Sequence, residues 1–132
     1  MPAVNSSNGP VAVTGASGYI GAHTVIALLK RGYAVRACVT DISNPDKTKF
    51  LLALNDQYPG KVTLHQANLL EAGSYDDAFS GCCAVLHVGQ PMGYGGANNP
   101  RQVYEGAVNG IDNIANSIKR AGTVKRLVYT SS

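Results

Sequence analysis

Val11-Ala-Val-Thr-Gly15-Ala-Ser-Gly18-Tyr-Ile-Gly21-Ala-His23 opens as an apolar strand, turns on glycine and continues as a helix. Glycine accepts positive φ and carries no side chain, so backbone can press against a ligand or another segment there. Gly15 is read as the tight turn out of the strand. Gly18 is read as the point where a pyrophosphate approaches the backbone. Gly21 is read as the position that lets the helix pack closely on the strand. The first N–H groups of such a helix, at its positive dipole end, suit phosphate. A lone glycine triplet is weak, but its required setting is present: strand before, helix after, and a second strand ending in Asp41, about twenty residues beyond Gly21. No Gly-Lys-Ser/Thr follows, which excludes a P-loop.

Outward from this turn the chain alternates. The first helix spans Gly18–Arg31, with Ala22, Val25, Ile26 and Leu29 on one apolar face, and ends at Gly32. Ala34–Thr40 is a nearly continuous apolar strand, as parallel strands covered on both faces are. Ser43-Asn44 before Pro45 signals a helix start. Asp46–Asp56 follows, with Phe50, Leu51 and Leu54 expected inward. Lys61–Gln66 is the third strand. Ser74–Phe79 is a short helix with Ser74 as its expected N-cap. Cys83–Val88 is the fourth strand, and Gly89–Asn99 a long glycine-rich loop. Pro100–Arg120 is a long helix whose buried stripe is expected to be Val108, Ile111, Ala115 and Ile118. Within it Gly106 and Gly110 are costly unless close packing needs them. Lys125–Thr130 is the fifth strand. Five strand–helix alternations with right-handed crossovers imply an α/β fold, a Rossmann doubly wound parallel sheet of order 3-2-1-4-5. The ligand crevice then lies at the carboxyl ends of the strands, between strands 1 and 4. Residues 1–10 are expected to be a flexible lead and 11–132 one NAD(P)-binding domain.

Composition narrows the classes. The 132 residues are 45% hydrophobic and 14% charged, an ordinary globular balance. A net charge of +3 is too mild to argue for nucleic acid. Lys119, Arg120, Lys125 and Arg126 cluster at a helix end, where cations complement the dipole. No apolar run reaches the length of a membrane span. Three cysteines, two of them adjacent, argue against a disulfide framework and suit a reducing, cytoplasmic setting. His23, His65 and His87 are read as packed or surface side chains, and no Cys/His spacing suggests metal.

Thr14-Gly-Ala-Ser-Gly-Tyr-Ile-Gly21 resembles the TGxxGxxG signature of the extended short-chain dehydrogenases/reductases. Lys30-Arg-Gly-Tyr-Ala-Val-Arg-Ala-Cys-Val39, Gly81-Cys-Cys-Ala-Val-Leu-His-Val88 and Val124-Lys-Arg-Leu-Val-Tyr-Thr-Ser-Ser132 are similar to the dihydroflavonol reductase and cinnamoyl-CoA reductase branch. The resemblance implies a carbonyl reductase using NADP or NAD. It implies cofactor contacts at Gly15, Ser17, Gly18, Tyr19, Ile20 and Gly21, at Thr40, Asp41 and Lys47, at Asn68 and Leu69, and at Val88, Gly89, Gln90 and Thr130. The family's arginine after strand 2 is Thr40 here, which cannot make a bidentate pair with a 2′-phosphate. Its later lysine is retained as Lys47, which favours NADP. Asp41 can instead accept from a ribose 2′-hydroxyl, as in NAD sites. Arg36 is a second candidate cation, with a structural role equally open. Asn68 stands where the family has aspartate by the adenine, and Val88-Gly89-Gln90-Pro91 where it has Val-Ala-Thr-Pro.

By the same resemblance Ser132 is the catalytic serine. The family's tyrosine and lysine form a YxxxK pair on the next helix. None of the 7 tyrosines here has lysine four residues on. The chain is therefore expected to represent the cofactor-binding part of a reductase, to bind dinucleotide weakly and to turn nothing over. The apolar fifth strand is expected to be an open edge that self-associates. The competing classes are a non-catalytic dinucleotide-binding or redox-sensing module, and an epimerase or hydroxysteroid dehydrogenase relative. The Val-Arg-Ala-Cys-Val stretch favours the reductases.

Overall fold

The computed structural model describes residues 5–89 and 100–130, without the side chains of 100, 102 and 103. Val11–Thr14 (β1), Val35–Val39 (β2), Val62–Gln66 (β3), Ala84–His87 (β4) and Arg126–Tyr129 (β5) form one sheet. Its order is β3-β2-β1-β4-β5, with every neighbouring pair parallel. This is the doubly wound order expected from the alternation. β1 is wholly buried, as the central strand of such a sheet must be.

Tyr19–Lys30 (α1) and Pro45–Gln57 (α2) cover one face. Their core joins Val25, Leu29 and Leu51 to Val13, Val35, Ala37, Val39 and Val62. Asp76–Phe79 (α3) and Pro100–Ala121 (α4) cover the other, joining Phe79, Ala78 and Ile114 to Ala12, Cys38 and Val85. The alternation of Ala12 and Val13 between these clusters is the two-residue period of a strand. Each fully buried valine contributes about 1.5–3 kcal/mol. Asn44 caps α2 by accepting the Asp46 N–H at 3.0 Å, with Pro45 at the first helical position.

Three local expectations change, and one left open is decided. In α2 Thr48 and Leu51 are buried and Leu54 packs at the margin of the core, while Phe50 is exposed. In α4 the buried side is Gly110, Ile114 and Ser117, with Ile118 packed at its margin; Val108 and Ile111 face out. Gly110 lies against Leu69, which a Cβ there would meet in van der Waals contact at 3.4 Å. Ser117 is tolerated because its hydroxyl donates to the Asp76 carboxylate at 2.7 Å, the same carboxylate that Arg120 grips. Ser74 does not cap α3. Its hydroxyl accepts the Asn68 N–H at 3.0 Å and donates to the Asn68 carbonyl at 2.8 Å, closing the loop after β3. Arg36 is a staple: its guanidinium donates to the carbonyls of Asp77, Ala78 and Ser80 around the end of α3.

Within the N-terminal lead, Asn5 caps a 3-10 turn at Ser6–Asn8, and the Pro10 carbonyl accepts the Cys83 N–H at 2.9 Å.

Candidate functional site

Gly15 turns at φ +63, where an L side chain is strained. A Cβ there would also stand 2.6 Å from the Gly89 Cα. At Gly21 a Cβ would stand 2.0 Å from the Gly15 carbonyl oxygen. Both glycines are thus demanded by the protein's own packing. Gly18 differs: its φ is −77, and its Cβ would meet nothing closer than the Gly15 oxygen at 3.4 Å. It is the N-cap of α1, with no side-chain cap and no acidic residue in the first turn. The helix therefore starts with uncapped N–H groups and no competing negative charge, an arrangement that suits an anion. Tyr19 and Ile20 in this turn are 82% and 60% exposed.

The turn opens on a cleft of about 330 Å³ at the carboxyl ends of the strands. Of the sequence-predicted residues, Gly15, Ser17, Thr40, Asn68, Leu69 and Gly89 line it. Cys38, Val39, Ala67, Leu70 and Tyr75, which the sequence reading did not single out, complete the wall. Gly18, Tyr19, Ile20 and Gly21 form the adjoining helix start rather than this wall. Asp41, Lys47, Val88 and Thr130 are not among the lining residues. Gln90 and Ser132 lie outside the described residues, as does the loop after Gly89.

The floor is neutral. Burial, then the neighbouring Cys82, pushes the Cys38 thiol far up, so no thiolate forms. Burial, then Cys38, raises Tyr75 as well. Burial also lifts Cys82, to about 11. The polar groups sit at the rim. The Asn68 side-chain oxygen accepts the Leu70 N–H at 2.9 Å, which leaves its amide NH₂ as the donor on offer. Asp41 accepts the Ser43 N–H at 2.9 Å and the Ser43 hydroxyl on the same oxygen. Those two bonds, aided by the Lys47 charge, hold its carboxyl below the usual carboxylate range.

Between β1 and β4 lies a buried pair absent from the sequence-predicted site. Thr14 Oγ1 is 2.8 Å from His87 Nδ1, and accepts the N–H groups of Val88 at 3.0 Å and Gly89 at 3.1 Å. Burial keeps His87 below the ordinary histidine range. The predicted contact residue Thr130 instead donates its N–H and hydroxyl to the His87 carbonyl. The sequence carried a signal for the pair: each ends a strand flanking the switch point.

Among the described residues no His, Cys, Asp and Glu group could hold a metal, and no helix is long and apolar enough to cross a membrane.

Comparison with known proteins agrees with this architecture. The chain is 43% identical over 132 residues to a dihydroflavonol 4-reductase of Hordeum vulgare, covering 98% of this chain and 36% of that protein. It superposes on a yeast methylglyoxal/isovaleraldehyde reductase complexed with NADPH (TM-score 0.75, 27% identity, 93% of this chain and 37% of that one). It also superposes on a short-chain dehydrogenase/reductase superfamily protein of Agrobacterium tumefaciens with bound NAD (TM-score 0.66, 28% identity, 92% and 32%). The chain thus spans about a third of the length of these proteins. Residues 11–132, from the first residue of β1 through the glycine turn and all five strands, match throughout, and the chain belongs to the NAD dependent epimerase/dehydratase family.

Proposed function

We propose that this chain is the cofactor-binding part of an NAD(P)H-dependent reductase of carbonyl compounds, related to the dihydroflavonol reductases. The observation that carries the reading is the contrast among the three glycines. Gly15 and Gly21 are required by internal contacts, whereas Gly18 leaves open space beside uncapped helix N–H groups. That space would take the diphosphate. The cleft wall at Val39, Ala67 and Leu69 would take the adenine, with the Asn68 NH₂ donating to its edge. The bound nicotinamide supplies hydride; the residues described here bind, orient and exclude water.

Of the two cofactors, NADP is favoured. One Asp41 oxygen is already committed to Ser43, and the Lys47 charge acts on the same carboxylate. Lys47 and the Thr40 hydroxyl would meet a 2′-phosphate, while the free oxygen of Asp41 would accept from the 2′-hydroxyl of NAD. Ser132 is proposed as the serine that polarises the substrate carbonyl, acting with a tyrosine–lysine pair that this chain does not supply, so the chain alone is expected to be inactive. Three free, buried thiols suit a reducing, cytoplasmic compartment.

Among the described residues β5 pairs on one side only, and its Leu127, Val128 and Tyr129 are 48%, 49% and 45% exposed. An apolar open edge invites pairing, and a second copy of the chain is proposed to pair there. Light scattering is expected to give a dimer or larger species; a clean monomer at high concentration contradicts it.

Calorimetric titration with NADPH and with NADH tests the reading. Binding of both, tighter for NADPH, is expected. A folded chain giving no heat with either removes it.

A further inference from the structure

We propose that Thr14 and His87 position the two lips of the dinucleotide crevice: His87 Nδ1 accepts the Thr14 hydroxyl proton, which directs that oxygen's lone pairs onto the N–H groups of Val88 and Gly89. The inference rests on the dinucleotide reading above.

The two residues face each other as register partners at the ends of β1 and β4. A hydroxyl has one proton and two lone pairs. Both lone pairs of Thr14 Oγ1 are taken by backbone N–H groups, which can only donate. The proton is left for Nδ1 at 2.8 Å, so Nδ1 must be bare and the proton of the neutral ring must sit on Nε2. Thr14 is 1% and His87 3% exposed, so bulk water does not substitute for either partner.

What the pair holds is Gly89. Its backbone abuts Gly15 so closely that a Cβ on Gly89 would stand 3.0 Å from the Gly15 Cα and N. Both glycines line the cleft. Thr14 therefore ties the end of β4 to the turn that precedes the helix start.

His87 is also the group that can undo this. Thr14 faces it from β1. From β5, Tyr129 packs on its ring at 5.3 Å between centroids. Burial lowers its proton affinity. A proton on Nδ1 would set two donors face to face. The Thr14 hydroxyl would have to turn, giving up a lone pair now used by Val88 or Gly89, and the β4 lip would loosen.

The test uses NAD⁺, whose diphosphate keeps its charge between pH 8 and pH 5, whereas a 2′-phosphate does not. Nitrogen-15 spectra of the wild-type imidazoles are expected to show His87 protonated on Nε2 alone; protonation on Nδ1 at neutral pH overturns the proposal. Wild-type affinity for NAD⁺ is expected to fall about tenfold or more as the same spectra show the His87 ring taking its second proton, at a pH below the ordinary histidine range. In His87→Asn the amide oxygen can accept the Thr14 proton but does not titrate, and the affinity is expected to stay level across the pH range in which the wild-type ring takes its second proton. Thr14→Val is expected to weaken NAD⁺ about tenfold at pH 8, with Thr14→Ser restoring it. An NAD⁺ affinity that does not change while the His87 ring takes its second proton, or a folded Thr14→Val that binds as wild type, overturns the positioning role and leaves the dinucleotide reading intact. A folded wild type that binds no NAD⁺ at pH 8 removes both. The imidazole spectra and the wild-type profile need no variant, so a Thr14→Val chain that fails to fold leaves the test standing.

Discussion

The Cβ that Gly21 lacks would stand 2.0 Å from the carbonyl oxygen of Gly15. That oxygen is backbone and cannot swing aside as a side chain can. Gly21→Ala must push α1 off the β1 turn, and is expected to destabilise the chain by about 3 kcal/mol or more. Gly18→Ala, at an ordinary φ with no contact under 3.4 Å, is expected to change stability by less than about 0.5 kcal/mol. It is expected to weaken dinucleotide binding all the same. Urea unfolding of both variants, with a cofactor titration of the second, checks the contrast.

Arg36 threads its guanidinium among three carbonyls at the end of α3. Arg36→Met keeps the stem and removes the charged donors, and is expected to cost about 1.5–3 kcal/mol. Arg36→Lys is not expected to restore it, since an ammonium cannot match the planar fork. Denaturation midpoints of the two variants are the measurement.

Ile114 is 1% exposed and Ile111 39%, although both sit in apolar positions of α4. Ile114→Ala is expected to cost about 2–5 kcal/mol, and Ile111→Ala within about 0.5 kcal/mol in the monomer. Parallel unfolding curves test which stripe is inward.

The stability of the chain is expected to fall in two stages on acidification. Burial lowers the proton affinity of His87, and burial with the nearby Arg36 charge lowers that of His65. The unfolded chain therefore binds protons first as pH drops through the ordinary histidine range, and stability is lost there. Asp76 is held low by Arg120 and then Ser117, and Asp41 by Ser43. Their contribution is present above the ordinary carboxylate range and lost as pH falls through it. Thermal melts from pH 8 to pH 3 give the profile, and Asp76→Asn is expected to shrink the lower stage.

The turn and the sheet order were legible because local signals there had no rival. Gly15, Gly18 and Gly21 sit between an apolar strand and a periodic helix, and the crossovers leave one order. The inward face of α4 was not legible. Val108, Ile111 and Ala115 offer a stripe as apolar as the true one, and the true one contains Gly110 and Ser117. Leu69 and Asp76 decide between them, and both come from elsewhere in the chain. Ser74 was misread for the same reason, since it bonds Asn68 rather than the start of α3, and the choice between the two roles open for Arg36 waited on partners 41 residues away. The neutral cleft floor at Cys38 and Tyr75 likewise follows from packing, not from local pattern.

The most direct measurement is an amide nitrogen–proton spectrum of the folded chain titrated with NADPH. The largest shifts are expected at Gly18, Tyr19 and Ile20, with smaller ones at Asn68 and Gly89. Saturating NADPH that leaves the Gly18–Ile20 amides unmoved would contradict the account.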